Sequence, residues 1–384
     1  MTDEDDATAG GEPPDEEVVC DFCRMPVPDG PVETDAGVFC SDACRDRLAE
    51  TGEPFDEYHG HRRLTAGVSA LDASLPQGFP RNAFVLVAGE PGTRDRALGA
   101  ELAWRALQRG EPVVFVSFQE PPSAVVQQFL TLEWNVIPYL ERGQFHIVDC
   151  FTYRLDDRDR MFDRMGEWNA YLSDVAREAT TTVRDPSDIN EIGNKLDNAL
   201  EDRGMVDDGI VIVDSLTELG TLVQPVQAYD FVKDIRADVC KGRFVPVFAG
   251  GTIGGGGGGS DAFPHDLSYV MDGLIELRLN DEIAAETLIK EVRIRKLNGA
   301  FVVPEWRAYE YTPGIGMVPF EPKRDAEGES KAEAESEEAE TTAETAEESE
   351  EAGDGPVEAE TTASDPTPAG ESAAADSTPS PSEE

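Results

Sequence analysis

Basic residues are scarce in this chain. Its 384 residues hold 32 Lys and Arg against 79 Asp and Glu, a formal net charge of −47. That imbalance repels polyanions and argues against nucleic acid as the partner. Long apolar runs are also missing: no stretch approaches the roughly 20 residues that span a bilayer. The N-terminus is acidic from Asp3 to Asp6 and has no hydrophobic signal segment. Residues 325–384 have no Leu, Ile, Phe, Tyr or Trp and cannot bury a core. They hold 21 acids and one Lys, leaving 58 acids and 31 bases, a net −27, on the other 324 residues. The folded part is therefore acidic in its own right. Molar salt shrinks the screening length to about 3 Å and relieves such self-repulsion. These absences predict a cytoplasmic protein of haloarchaeal type, with no membrane partner. Cysteine is sparse too: six in so long a chain point to metal or inert thiols and not to a disulfide framework.

Composition shifts divide the chain. Residues 1–18 are read as a disordered acidic lead, 19–50 as a cysteine-bearing module, 51–60 as a linker, 61–322 as one large domain, and 323–384 as a disordered acidic tail. Within 61–322, apolar runs of buried-strand length alternate with helical patterns. Ala83–Ala88, Val113–Phe118, Phe145–Asp149, Ile210–Asp214 and Phe244–Ala249 read as strands, the last despite Pro246. Arg96–Gln108 reads as a helix, and 155–203 as a mostly helical insert carrying Trp168, Tyr171, Leu172 and Val175. Gly273–Val318 reads as an antiparallel extension. The fold class is α/β, with a mainly parallel sheet covered on both faces.

Four cysteines lie close together. Cys20-Asp-Phe-Cys23 is followed after sixteen residues by Cys40-Ser-Asp-Ala-Cys44. The first pair suits a zinc knuckle, and the i, i+4 spacing of the second puts two sulfurs on one side of a helix start. Cys20, Cys23, Cys40 and Cys44 are the expected Zn²⁺ ligands. The predicted helix Ser41–Glu50 is too short to persist without a metal. The phrase Val38-Phe39-Cys40-Ser41, with Cys44 following, resembles treble-clef fingers of the TRASH type. With no basic patch on this segment, structural or protein-binding use is the expected role, metal sensing or trafficking stands beside it, and nucleic acid is not expected. Cys150 and Cys240 read as inert core residues.

Residues 64–122 carry a second, longer resemblance. Gly67, Leu71-Asp72, Gly78 and Pro80 precede a strand, a loop, a helix, and a strand that runs into Ser117-Phe118-Gln119-Glu120-Pro121-Pro122. Val211-Ile212-Val213-Asp214-Ser215-Leu216 and Tyr309–Val318 follow. In that order these segments resemble a KaiC-like domain of the RecA superfamily. The resemblance implies a RecA-like P-loop NTPase fold, ATP and Mg²⁺ as cofactors, and a homo-oligomer, hexameric in the KaiC manner. A phosphate loop reads G-x-x-x-x-G-K-[ST]. Here it reads Gly89-Glu90-Pro91-Gly92-Thr93-Arg94-Asp95-Arg96: the last glycine is Arg94, the lysine is Asp95 and the hydroxyl residue is Arg96.

Each replacement has a physical consequence. Asp95 puts a negative charge where phosphate needs a positive one, Arg96 lacks the hydroxyl that would hold Mg²⁺, and Arg94 has the Cβ that glycine avoids. Arg94 or Arg96 is left to supply a cation, although guanidinium does not replace ammonium freely. The family's pair of glutamates appears as Gln119-Glu120, so Glu120 is the one candidate base. Asp214 keeps the Walker B position, which the resemblance assigns to Mg²⁺ through water. The neighbour-facing Lys-x-Arg segment appears as Lys296-Leu297-Asn298. Gly89, Gly92, Thr93, Arg94, Arg96 and Asp214 are the candidate nucleotide-binding residues. The expected protein is a KaiC-like pseudo-ATPase, a regulatory or scaffold protein rather than an enzyme, with an unidentified protein partner. Two alternatives stand beside it: an active ATPase or kinase with an arginine-substituted loop, and a DNA-recombination accessory. The run Gly254–Gly259 lacks the strand–helix frame of a phosphate loop and reads as a hairpin or linker.

Overall fold

The structure, a computed structural model, describes residues 18–27, 30–54, 62–154, 164, 166–253, 263–283 and 287–322. Residues 1–17 of the expected lead, 55–60 of the expected linker, the expected tail, the glycine run 254–259, and residues 155–163 and 165 of the expected insert lie outside them. In the cysteine module, strands β1 (Val32–Thr34) and β2 (Gly37–Phe39) form an antiparallel hairpin, followed by helix α1 (Asp42–Thr51).

The large domain is organised around one ten-stranded sheet. A short antiparallel pair, β3 (Arg63–Leu64) with β4 (Phe79–Pro80), brackets helix α2 (Ser69–Asp72) and leads into the sheet. The parallel strands are β5 (Phe84–Gly89), β6 (Val113–Ser117), β7 (Phe145–Asp149), β8 (Thr180–Thr182), β9 (Ile210–Asp214), β10 (Val247–Thr252) and β11 (Gly273–Asn280). The antiparallel extension adds β12 (Ile289–Leu297), β13 (Arg307–Thr312) and β14 (Gly316–Pro319). The order across the sheet is β14-β13-β12-β11-β5-β10-β9-β6-β7-β8.

Strands β5, β6, β7 and β9 are buried along their whole length, as continuous Val, Ile, Leu and Phe runs require when both faces are covered. One face packs helices α3 (Asp95–Gln108), α4 (Pro122–Thr131) and α5 (Ile137–Glu141) through Leu98, Leu102, Phe129 and Leu140. The other packs α7 (Ile189–Glu201), which follows α6 (Glu167–Arg177), then α8 (Leu216–Leu222) and α9 (Pro225–Ile235), through Leu196, Leu200, Leu219 and Phe231. Asp272 ties the two ends of this construction together. It is buried, pairs with Arg236 at 2.8 Å and with Lys241 at 3.2 Å, and accepts the Phe84 amide at 3.1 Å.

Three strand expectations change. The extension expected over Gly273–Val318 is antiparallel only from β12 onward, because β11 joins the sheet parallel to β5. The strand after Arg243 begins at Val247, not Phe244: Pro246 has no N–H for the ladder, and Phe244 takes a positive φ of 55°. The stretch expected as a mostly helical insert also holds β8, which pairs in parallel with β7 and lengthens the sheet by one edge strand. Thr180-Thr181-Thr182 is three β-branched residues and too short to register as a strand by periodicity.

The carboxyl ends of β5, β6, β9 and β10 share one edge of the sheet, with β5 and β10 running about two residues beyond β6 and β9. Ser117 is opposite Asp214, and Gly89 is opposite Thr252. Strand order around β5 places its exit loop between elements distant in sequence, where open α/β sheets hold their ligands.

Candidate phosphate loop and cysteine cluster

The chain leaves β5 at Gly89 and reaches α3 at Asp95. Glu90 anchors the turn to β11: its amide donates to the Leu277 carbonyl at 3.1 Å, and its carboxylate accepts from the Leu279 amide at 2.9 Å. Thr93 is fully buried and donates its hydroxyl to the Glu90 carbonyl at 2.7 Å. Tyr309 on β13 reaches across and donates its phenol to the Thr93 carbonyl at 2.5 Å. Burial pushes that phenol well above the ordinary tyrosine range, so it stays a donor. Glu101, buried on α3, accepts the Met317 amide of β14 at 2.8 Å and pairs with Arg105 at 3.1 Å. The antiparallel strands therefore buttress the loop from behind. Tyr309 and Glu101 were not singled out from sequence, because nothing local to a strand tyrosine or a helix glutamate shows which loop it meets.

Arg94 keeps the backbone of the glycine it replaces. It sits at φ 61°, ψ 38°, a left-handed conformation that costs an L residue roughly 1 kcal/mol. Its side chain is exposed and does not line the cavity beneath the loop. Asp95 does. A Cβ on Gly89 would lie 2.5 Å from the Asp95 Cβ and 2.9 Å from its Cγ, so only glycine admits the carboxyl there. Burial pushes the Asp95 carboxyl up from its ordinary range, while the amides of Arg96 and Asp95 and the charge of Arg96 pull the other way.

Arg96 supplies the cation. Its guanidinium reaches Glu120 at 3.3 Å and Asp214 at 3.4 Å, and Gln128 donates to its carbonyl at 3.1 Å. Gln119 turns aside and donates to the Ser215 hydroxyl at 2.8 Å. Between α3 and the sheet lies a cavity of about 20 Å³, with Asp95, Arg96, Asp214 and Ser215 at its polar side and Val87, Phe115, Ile212 and Phe248 at its apolar side. That is room for about one water. The residues present do not fit a triphosphate tail with its magnesium as the motif would hold it: Asp95 puts a carboxyl where the motif has its lysine, and the Arg96 guanidinium holds the two carboxylates. Lys296 is engaged within its own chain, donating to the Met271 carbonyl at 2.8 Å and the Ser268 carbonyl at 3.3 Å.

Burial pushes Asp214 to about 6, against the pull of Arg96 and with the push of Asp95 and Glu120. A carboxyl raised in the folded state binds a proton that the unfolded chain, near 3.8, has lost. Its contribution to stability is thus present at low pH and is lost as pH rises from about 4 to 6. The roughly two-unit gap corresponds to on the order of 2–3 kcal/mol. Asp214→Asn is expected to remove most of that pH dependence. Unfolding free energies from denaturant titrations at pH 5 and pH 8, in magnesium-free molar KCl, should differ less for the variant by about 1.4 kcal/mol, because only pH 5 to about 6 falls inside that window. Equal pH slopes for the two proteins would contradict the buried-carboxyl account.

The four module cysteines converge. Their sulfurs all lie within 4.8 Å of one another, with Cys23 to Cys40 at 3.7 Å and Cys40 to Cys44 at 3.5 Å. Tetrahedral zinc with thiolate bonds of about 2.3 Å separates its sulfurs by about 3.8 Å, so the set fits the ion. Local structure prepares it. The knuckle closes through the Cys20 amide to Met25 at 2.8 Å and the Arg24 amide to Cys20 at 2.9 Å. Ser41 caps α1 by accepting the Cys44 amide at 3.3 Å, and Asp21 accepts the Val38 amide at 2.8 Å, locking knuckle to hairpin.

The family model for the KaiC ATPases matches residues 64–321. The chain belongs to this family. A KaiC-like protein of Pyrococcus horikoshii shares the fold, with a TM-score of 0.51 at 16% identity, over 68% of this chain and 99% of that one. A UPF0273 protein of Thermotoga maritima is 28% identical over 265 residues, covering 68% of this chain and 97% of its own. A UPF0273 protein of P. horikoshii is 30% identical over 242 residues, covering 62% and 86%. The KaiC match leaves the cysteine module outside it and includes the whole ten-stranded sheet. Among the described residues no helix is long and apolar enough to cross a membrane.

Proposed function

We propose that this KaiC-family chain is a pseudo-ATPase: a regulatory or scaffold protein that keeps the RecA-like frame without turning over ATP. A zinc finger at residues 19–50 recognises a protein partner, and the acidic surface adapts the chain to a salt-rich cytoplasm. The observation that carries this reading is Arg96 lying between Glu120 and Asp214, with the Asp95 carboxyl in the loop. Hydrolysis needs a cation on the phosphates, a metal held near the Walker B carboxylate, and a free base. Asp95 removes the first, and Arg96 occupies the carboxylates that serve the second and third. The intramolecular engagement of Lys296 supports the same reading, since a ring ATPase would use that segment toward its neighbour.

Phosphate release from Mg·ATP in molar KCl tests it. The expected rate for the wild type equals that of Asp214→Asn and of buffer. A magnesium-dependent turnover that Asp214→Asn abolishes would overturn the proposal and restore the active-ATPase alternative.

A further inference from the structure

The loop presents more than missing chemistry. Three separate segments meet at one guanidinium: α3 brings Arg96, the exit of β6 brings Glu120, and the end of β9 brings Asp214. Each partner is itself fixed. The Ser117 hydroxyl donates to the Glu120 carbonyl at 2.8 Å, and the Phe118 amide donates to the Asp214 carbonyl at 2.6 Å, so the two carboxylates share one hydrogen-bonded framework. Asp214 is buried, and the Arg96 side chain is two-thirds covered. Behind them the Asp95 carboxyl rests on Gly89 within reach of the loop's own amides. Anions bind where backbone amides and a helix N-terminus converge, and here α3 begins at Asp95 itself.

We infer that the loop is self-liganded: the Asp95 carboxylate stands in for a phosphate and the Arg96 guanidinium for its metal ion, so that loop, β6 exit and β9 end are held together without nucleotide. The inference deepens the pseudo-ATPase reading and rests on it for one point, that no nucleotide displaces the pair. Its consequence is conformational. In a switching ATPase a ligand draws these segments together and its loss releases them; a state is favoured only by what binds it differentially. Here the ligand is covalently part of the chain, and its local concentration does not vary. The domain therefore offers its partners one fixed arrangement, indifferent to the ATP level.

Charge count supports the assignment. Glu120 and Asp214 are two carboxylates on one cation, and Asp95 lies within reach of its charge, the composition of a metal–phosphate site with its metal replaced by a guanidinium. A planar fork can contact two carboxylates at once, which an ammonium does less well. Arg rather than Lys at position 96 follows from that geometry.

Hydrogen–deuterium exchange of the full chain in molar KCl, with and without millimolar Mg·ATP, tests the inference. In the wild type, peptides covering 89–99, 117–123 and 214–219 are expected to be protected equally in both conditions. Arg96→Ser is expected to speed exchange in 117–123 and 214–219 by about tenfold or more, as local opening becomes easier, while peptides of β7 and β12 keep their protection. Arg96→Lys, which keeps the charge and loses the fork, is expected to fall between them and serves if the serine variant does not fold. Unchanged exchange in both variants would overturn the inference, and so would slower exchange of the wild type on adding Mg·ATP. Either result can occur with no ATP turnover, which leaves the pseudo-ATPase reading standing; turnover without a change in exchange would sink that reading instead.

Discussion

Stripping the metal from the cysteine cluster is expected to unfold residues 19–51 and to leave the ten-stranded sheet intact. The module has almost no other source of stability. Helix α1 is ten residues long and buries none of them, and its two partner strands have three residues each. Isolated helices shorter than about 12–15 residues are marginal in water. A two-stranded hairpin is marginal as well. Buried apolar area at Cys20 and Phe39 is too little to offset the entropy of ordering some thirty residues. Zinc coordination by thiolates contributes about 10–16 kcal/mol of apparent binding free energy near neutral pH, and in such modules that energy is folding energy. The expected stoichiometry is one zinc per chain, measured by elemental analysis. A strong chelator should collapse the amide dispersion of residues 18–54 in NMR spectra while signals of β5, β6 and β9 persist. Cobalt substitution should give thiolate-to-metal charge-transfer absorption, lost in Cys44→Ser. A chelated chain whose module amides stay dispersed and protected would show that the cysteines are not what holds this module.

Rebuilding the phosphate loop as Arg94→Gly, Asp95→Lys, Arg96→Ser is expected to create Mg·ATP affinity. Two unit charges about 4 Å apart interact by some 4 kcal/mol at an effective dielectric near 20. Reversing the sign at Asp95 therefore swings the phosphate interaction by several kcal/mol, which molar salt reduces at the exposed side. Arg96→Ser frees Glu120 and Asp214 from the guanidinium and returns a hydroxyl. Arg94→Gly removes roughly 1 kcal/mol of left-handed strain. Together these should tighten nucleotide binding by about a thousandfold or more over the wild type, read by calorimetric titration in molar KCl with and without magnesium. Asp95→Lys alone should gain far less, since Arg96 would still hold the two carboxylates. A folded triple variant with no gain would place the defect outside the loop, for example at the Lys296 segment.

Parts of this site were legible in the sequence. The spacing of Cys20, Cys23, Cys40 and Cys44 is a local property, and the structure brings all four sulfurs within 4.8 Å of one another. The apolar runs of β5, β6, β7 and β9 are equally local, since a strand buried on both faces has to be apolar throughout. The register of substitutions at Arg94, Asp95 and Arg96 was visible against a fixed motif. Less was legible where neighbours decide. Sequence left Arg94 and Arg96 as equal candidates for the cation, and only the backbone direction at φ 61° turns Arg94 outward while α3 aims Arg96 at Asp214. Asp95 read as a repulsive charge, and its place against Gly89 emerged only with the loop's closure. Strand β8 escaped because three threonines carry no usable period, and the strand after Arg243 starts late because Pro246 cannot enter a ladder.

By itself, then, the sequence determined the strand–helix alternation, the acidic composition, the four-cysteine set and the absence of a lysine and a hydroxyl from the last two positions of the phosphate loop. These are matters of composition and of spacing within a few residues, where propensity and ligand chemistry act directly. Tertiary structure alone decided that Arg96 bridges Glu120 and Asp214, residues 24 and 118 positions away, and that Tyr309, 216 positions away, closes on Thr93. The physical reason is the crossover order of the sheet: it sets the ends of β5, β6 and β9 on one edge of the sheet, and there one guanidinium finds two carboxylates.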